Sequence, residues 1–138
     1  MYHKLMLENH TMFTKQVYEQ LAGRELSSGQ PKILEYLFEH DGSVQKDIAL
    51  ACGIEPATVT SLLSRMEKSG IIERKMQNNN RRFWYVYLTE KGKEEAVYVK
   101  KAFDTVKETA LKDFASDEKE QFTEYLRRVN KNLKEVLF

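Results

Sequence analysis

Five consecutive residues, Asn78, Asn79, Asn80, Arg81 and Arg82, bring together three side-chain amides and two guanidinium groups. None of these groups favours burial. A guanidinium fork matches the oxygens of a phosphate, and arginine gains further at a narrow minor groove, where the negative potential is enhanced. Amides on short stems approach phosphate closely. A second set lies just upstream: Pro56, Ala57, Thr58, Thr60, Ser61 and Ser64, with the cations Arg65 and Lys68. Small side chains let a helix sit deep in a groove, and hydroxyls donate to phosphates or base edges. A helix that starts near Pro56 also presents free N–H groups, which favour a phosphate. Ser43 and Gln45 before this helix, and Arg74 and Lys75 after it, complete the candidate contact set. The chemistry is recognition of a polyanion.

Charge is distributed to match. Residues 1–59 carry 5 basic and 8 acidic side chains, residues 60–93 carry 8 and 3, and residues 94–138 carry 9 and 10. The formal net charge of +1 therefore conceals a basic central segment. Such asymmetry suits a polyanionic partner for that segment alone.

Other functions find little support. There is no glycine-rich phosphate loop, no HExxH and no nucleophile–base pair, so an enzyme is not expected. His3, His10 and His40 are scattered without ligand spacing, and no metal or cofactor is implied. Cys52 is the lone cysteine, in the apolar run "IALACGI", where a thiol behaves as a small hydrophobe. A redox thiol would need nearby cations and solvent access. No run approaches the length of a membrane span, and the start lacks a secretion-signal pattern. The expectation is a cytoplasmic protein without membrane contact. Its 138 residues, 41% hydrophobic and 31% charged, suit one soluble domain, 1–138.

The elements that must hold these residues can be read from periodicity. Residues 1–22 form a first helix, with Leu5, Met6, Phe13, Val17 and Leu21 at helical spacing. A second opens at Ser27 as N-cap, with Gln30 completing a capping box and Leu26 as a staple. Its inward stripe is Ile33, Leu34, Leu37 and Phe38. Ser43 caps a third, short helix with Val44, Ile48, Ala49 and Ala51 inward, and Gly53 ends it. Pro56 opens a fourth helix that ends at Gly70 and buries Val59, Leu62, Leu63 and Met66. The two short helices, joined by a glycine-containing turn, have helix-turn-helix spacing. "IIERKMQ" and "RFWYVYL" then read as two antiparallel strands around "NNN". Trp84, Val86 and Leu88 share one face of the second strand; Phe83, Tyr85 and Tyr87 share the other. Thr89 caps a long helix whose stripe is Phe103, Val106, Ala110 and Phe114. Ser116 or Asp117 caps a last helix presenting Phe122, Leu126, Val129, Leu133 and Val136 or Leu137. The fold class is mainly α with a small β-hairpin: a winged helix-turn-helix core, residues 27–92, between terminal helical segments, 1–22 and 93–138.

The runs "LSSGQPKILEYL", "GSVQKDIALACGIEPATVTSLLSRMEKSGIIERK" and "NRRFWYVYLTEKG" resemble the MarR family of bacterial transcription regulators. The resemblance covers nearly the whole chain. It implies a homodimer with entwined terminal helices, bound to a short palindromic double-stranded DNA operator, usually as a repressor. In many members it also implies release by a small aromatic acid or by thiol oxidation. The family's wing usually reads Asp-x-Arg; here Asn80 and Arg82 stand at those positions, with Arg81 between. Ser61 stands where many members place an arginine. Arg65 is kept, at a position that supports the recognition helix. The family's thiol switch lies in the first helix, where this chain has no cysteine.

Two further partners follow. The apolar stripes of 1–22 and 93–138 exceed what a small winged core can cover, and a second copy is the natural cover. Phe13, Tyr18, Tyr36 and Tyr98, near the junction of the first two helices and the long helix, are candidates to line a pocket for an aromatic acid. The competing function is a winged-helix protein–protein module that never touches DNA.

Overall fold

A computed structural model describes residues 1–77 and 80–137, with Asn80 and Arg81 described for their backbone alone. Among the described residues the order is α1 (Tyr2–Gln20), α2 (Gln30–Glu39), β1 (Ser43–Val44), α3 (Gln45–Cys52), α4 (Pro56–Lys68), β2 (Ile72–Gln77), β3 (Asn80–Leu88), α5 (Glu90–Ala110) and α6 (Ser116–Leu137). The chain divides into two compact units, Met1–Asp104 and Thr105–Phe138.

The first unit holds the winged core. Ile33, Leu34 and Leu37 of α2, Ile48 of α3, and Val59, Leu62, Leu63 and Met66 of α4 are buried, as their spacing requires. Ile72, Val86 and Leu88 bury one face of the sheet, and Ile71, just before β2, is buried as well. The turn between α3 and α4 is short, with Gly53 left-handed at the end of α3 and Pro56 in the first turn of α4. Gly92 in α5 lies against the Ile71 carbonyl, so close that an added Cβ would collide with backbone. Thr89 accepts the Gly92 N–H at 3.0 Å and donates to the Gly70 carbonyl at 2.6 Å. These contacts fasten α5 to the turn that follows α4.

Several expectations are corrected. Ser27 does not cap α2. The helix starts at Gln30 behind Gly29, whose φ of 92° turns the chain into it, and no side chain caps it. A Cβ at Gly29 would meet Leu62 Cδ1 at 2.8 Å, so close packing on α4 decides where α2 begins. Gln30 becomes buried, and its Oε1 lacks a partner among the described residues. Ser43 does not cap α3 either. It pairs with Val86 in a two-residue strand, while its hydroxyl donates to the His40 carbonyl at 2.6 Å. The sheet is thus three-stranded, in the order β1-β3-β2, and antiparallel throughout. Trp84 shares the parity of Val86 and Leu88 but is 44% exposed, one pleat nearer the hairpin tip than the buried Val86. Ala51 and Phe38 are exposed rather than inward.

The second unit contains the end of α5 and α6. Neither Ser116 nor Asp117 caps α6; both lie in its first turn. The Glu118 carboxylate instead accepts the Ala115 N–H at 2.8 Å, one half of a capping box. No residue of α6 is buried. Phe122, Leu133, Val136 and Leu137 stand exposed, Leu126 and Val129 half-buried. Ala110 and Phe114 are exposed as well. In the first unit the start of α1 behaves alike: Leu5 and Met6 are exposed, whereas Val17 and Leu21 are buried.

Candidate nucleic-acid interface

The apolar stripe of α4 faces the core, so its other face must meet solvent. Pro56, Ala57, Thr58, Thr60, Ser61, Arg65 and Lys68 are exposed and Ser64 is half-buried. No side chain caps the start of this helix, and its first turn holds no acid. The N–H groups there remain available to an anion. Arg65 and Lys68 form no ion pair among the described residues. The face is therefore slim, hydroxyl-bearing and cationic at its far end.

Gln45 links α3 to this helix. Its Nε2 donates to Thr60 Oγ1 at 3.2 Å, and Thr60 Oγ1 donates to the Pro56 carbonyl at 3.1 Å. The Thr60 hydroxyl is thereby committed inside the protein. Thr58 and Ser61 are the exposed hydroxyls of this turn with no such bond among the described residues.

Of the other expected contacts, three are engaged elsewhere. Arg74 Nη2 lies 2.9 Å from Glu67 Oε1, and the Arg74 N–H donates to Glu67 Oε2 at 3.3 Å. The Arg74 side chain is only 19% exposed. The Arg74 side-chain hydrogen bond holds the Glu67 carboxyl below its ordinary range. Lys75 pairs with Glu73 at 3.2 Å and lies 5.4 Å from the Tyr87 ring centre. Ser43 is half-buried with its hydroxyl on His40. At the tip, Asn78 and Asn79 and the side chains of Asn80 and Arg81 lie outside the described residues, and Arg82 is exposed. The Glu67–Arg74 contact escaped the sequence reading. Its signal is an acid in the last turn of α4 and a base seven positions later, across a turn.

The four aromatic residues expected to line one pocket do not converge. Phe13 stacks on Phe103 with centroids 6.1 Å apart, and the Tyr18 hydroxyl accepts the Gly29 N–H at 2.9 Å. Tyr98 lies under the Arg24 guanidinium at 3.3 Å, and that guanidinium grips Glu95 through both carboxylate oxygens. Tyr36 alone of the four lines a cavity of ≈ 580 Å³ between α2, the end of α3 and α5. Lys32, Glu35, Cys52, Lys100 and Phe103 line it too, with the carboxylates of Glu39 and Asp104. Burial, then the charges of Glu39 and Asp104, hold Glu35 above the usual carboxylate range. Burial pushes the Cys52 thiol up to about 11, so near neutrality it is protonated and a poor nucleophile. Among the described residues no group of His, Cys, Asp and Glu has the arrangement of a metal site. No described helix is long and apolar enough to cross a membrane.

Comparison with known proteins agrees with this geometry. Residues 26–83 match the model of the MarR family. The uncharacterised HTH-type transcriptional regulator YybA of Bacillus subtilis is 28% identical over 109 residues, 79% of this chain and 73% of that protein. The crystal structure of the transcriptional regulator SlyA superposes with a TM-score of 0.86 at 25% identity, covering 97% of this chain and 94% of that one. The S. aureus MepR–DNA complex superposes with a TM-score of 0.82 at 26% identity, over 96% and 98%.

Proposed function

We propose that this chain, which belongs to the MarR family of transcription regulators, acts as a homodimeric repressor on a palindromic double-stranded DNA operator. The observation that carries the proposal is the exposed face of α4. It presents Ala57, Thr58 and Ser61 in and beyond a first turn without acids, behind Glu55 at the N-cap, followed by Arg65 and Lys68, cations with no ion pair among the described residues. Such a face suits the major groove, with the arginine-bearing wing directed to the backbone or the adjacent minor groove. A two-fold operator follows from a two-fold protein. Support for the second copy comes from apolar side chains left open on α1 and α6, Leu5, Leu133 and Val136 among them. The terminal helical segments, 1–22 and 93–138, are the proposed dimerisation elements.

Release by a small aromatic ligand accompanies this proposal. Tyr36 and Phe103 line the cavity beside α3 and would supply its apolar walls. Glu35, Glu39 and Asp104 outnumber Lys32 and Lys100 there, so an aromatic ligand without net negative charge matches the lining best. Selection of bound fragments from a random duplex library tests the main proposal. Enrichment of sites with two-fold symmetry, bound by two copies of the chain, is expected. Recovery of no preferred sequence, or of a monomer on an asymmetric site, would overturn it.

A further inference from the structure

We infer that Glu67, Arg74 and Trp84 form a bracket that fixes the pitch of the wing against α4, and that Arg74 is a positioning residue rather than a phosphate contact. The inference rests on the DNA-binding role proposed above. Charge alone would place Arg74 among the phosphate contacts, since it lies in the basic segment beside the wing. Its surroundings oppose that. Both oxygens of Glu67 are taken up by one residue: the guanidinium at 2.9 Å and the backbone N–H at 3.3 Å. The guanidinium carbon also lies 5.8 Å from the Trp84 ring centre, within range of a cation–π contact. Arg74 pairs with Val86 in the ladder, so Trp84 is its diagonal neighbour, one step nearer the tip. Three elements meet at a single cation: the last turn of α4, the middle of β2 and the outer half of β3.

The arrangement has two consequences for recognition. A hairpin that projects beyond the core would otherwise hinge at its base, where Thr89 and Lys91 bind the carbonyls of Gly70 and Ser69. The bracket adds a second point of attachment farther out, so that the wing and α4 meet a duplex as one surface. Second, Glu67 is an acid on the helix proposed to enter the groove, with its side chain 40% exposed. Pairing with Arg74 offsets its repulsion of phosphates.

The two roles for Arg74 differ in the sign of one substitution. Glu67→Met removes a negative charge and keeps a helix-forming side chain. If Arg74 were a phosphate contact restrained by Glu67, this change would tighten duplex binding. If the bracket positions the wing, binding weakens, by about tenfold for the loss of one charge-assisted contact. The experiment compares Glu67→Met, Arg74→Met and the double variant with the parent protein on one duplex across a salt series. Far-UV circular dichroism confirms that each is folded. Weaker binding by all three, with the salt slope unchanged and the double variant little worse than either single, supports the inference. Tighter binding by Glu67→Met, or a salt slope reduced by about one in Arg74→Met, overturns it. A DNA-free arm separates the bracket from the function. Trp84 is the only tryptophan, so emission reports its surroundings directly. Both single variants are expected to shift that emission alike; an unchanged spectrum in Glu67→Met would remove the bracket even if DNA binding stands. Should the parent protein bind no duplex, the DNA-binding role fails, and the emission arm alone judges the bracket.

Discussion

Replacing Arg65 and Lys68 together by glutamine removes both cations of α4 while keeping strong helix formers. Neither side chain is buried or ion-paired among the described residues, so the fold should lose little. Each phosphate contact on duplex DNA contributes about 0.9 to the slope of log affinity against log salt, so two lost contacts reduce the slope by about 1.8. Over a fourfold rise in salt, from about 0.05 to about 0.2 M, the parent protein should lose about twelvefold more affinity than the variant. Fluorescence anisotropy with a labelled duplex at four or five salt concentrations measures both slopes. Equal slopes would refute the reasoning, because they would mean that neither cation meets a phosphate. A lower affinity with an unchanged slope would point instead to a perturbed helix.

Three other outcomes follow from the same structure. Gly92→Ala sets a Cβ against the Ile71 carbonyl and should cost roughly 3 kcal/mol, seen as a melting temperature lower by about 10 °C. Glu67 has a carboxyl held below its ordinary range, so its contribution to stability is present above that range and is lost as pH falls through the depressed value. Thermal melts from neutral to acid pH should show this loss in the parent protein and a shallower one in Glu67→Gln. Cys52, pushed up to about 11, should react slowly with a thiol reagent at neutral pH, and peroxide treatment should leave the duplex affinity of the parent protein unchanged, as it does that of Cys52→Ser.

The parts legible in the sequence are those governed by local rules. Pro56 and Gly70 mark the limits of α4 because proline fits a first helical turn and glycine a left-handed end. The buried stripe from Val59 to Met66 is legible because its spacing allows one inward face. Thr89 reads as a cap because its hydroxyl has a local N–H to accept. Ser27 and Ser43 have equally good capping chemistry and do not cap, because contacts from distant residues decide their helix starts. Gly29 presses on Leu62, and Ser43 is drawn into a strand by Val86. A two-residue strand carries no period, so β1 was not to be found by pattern. The candidate interface divides in the same way. The exposed residues of α4 follow from its buried ones. The diversion of Arg74 to Glu67 and of Lys75 to Glu73 depends on three-dimensional neighbours that linear spacing does not reveal. The dispersal of Phe13, Tyr18, Tyr36 and Tyr98 has the same origin, since each finds a separate partner.

The most direct measurement is a titration of the purified parent protein with labelled double-stranded DNA at low ionic strength, repeated as salt is raised. Saturable binding that weakens steeply and linearly on a log–log plot is the expected result. Indifference to every duplex offered, or an affinity that does not respond to salt, would contradict the assignment of α4 and the wing to a polyanion.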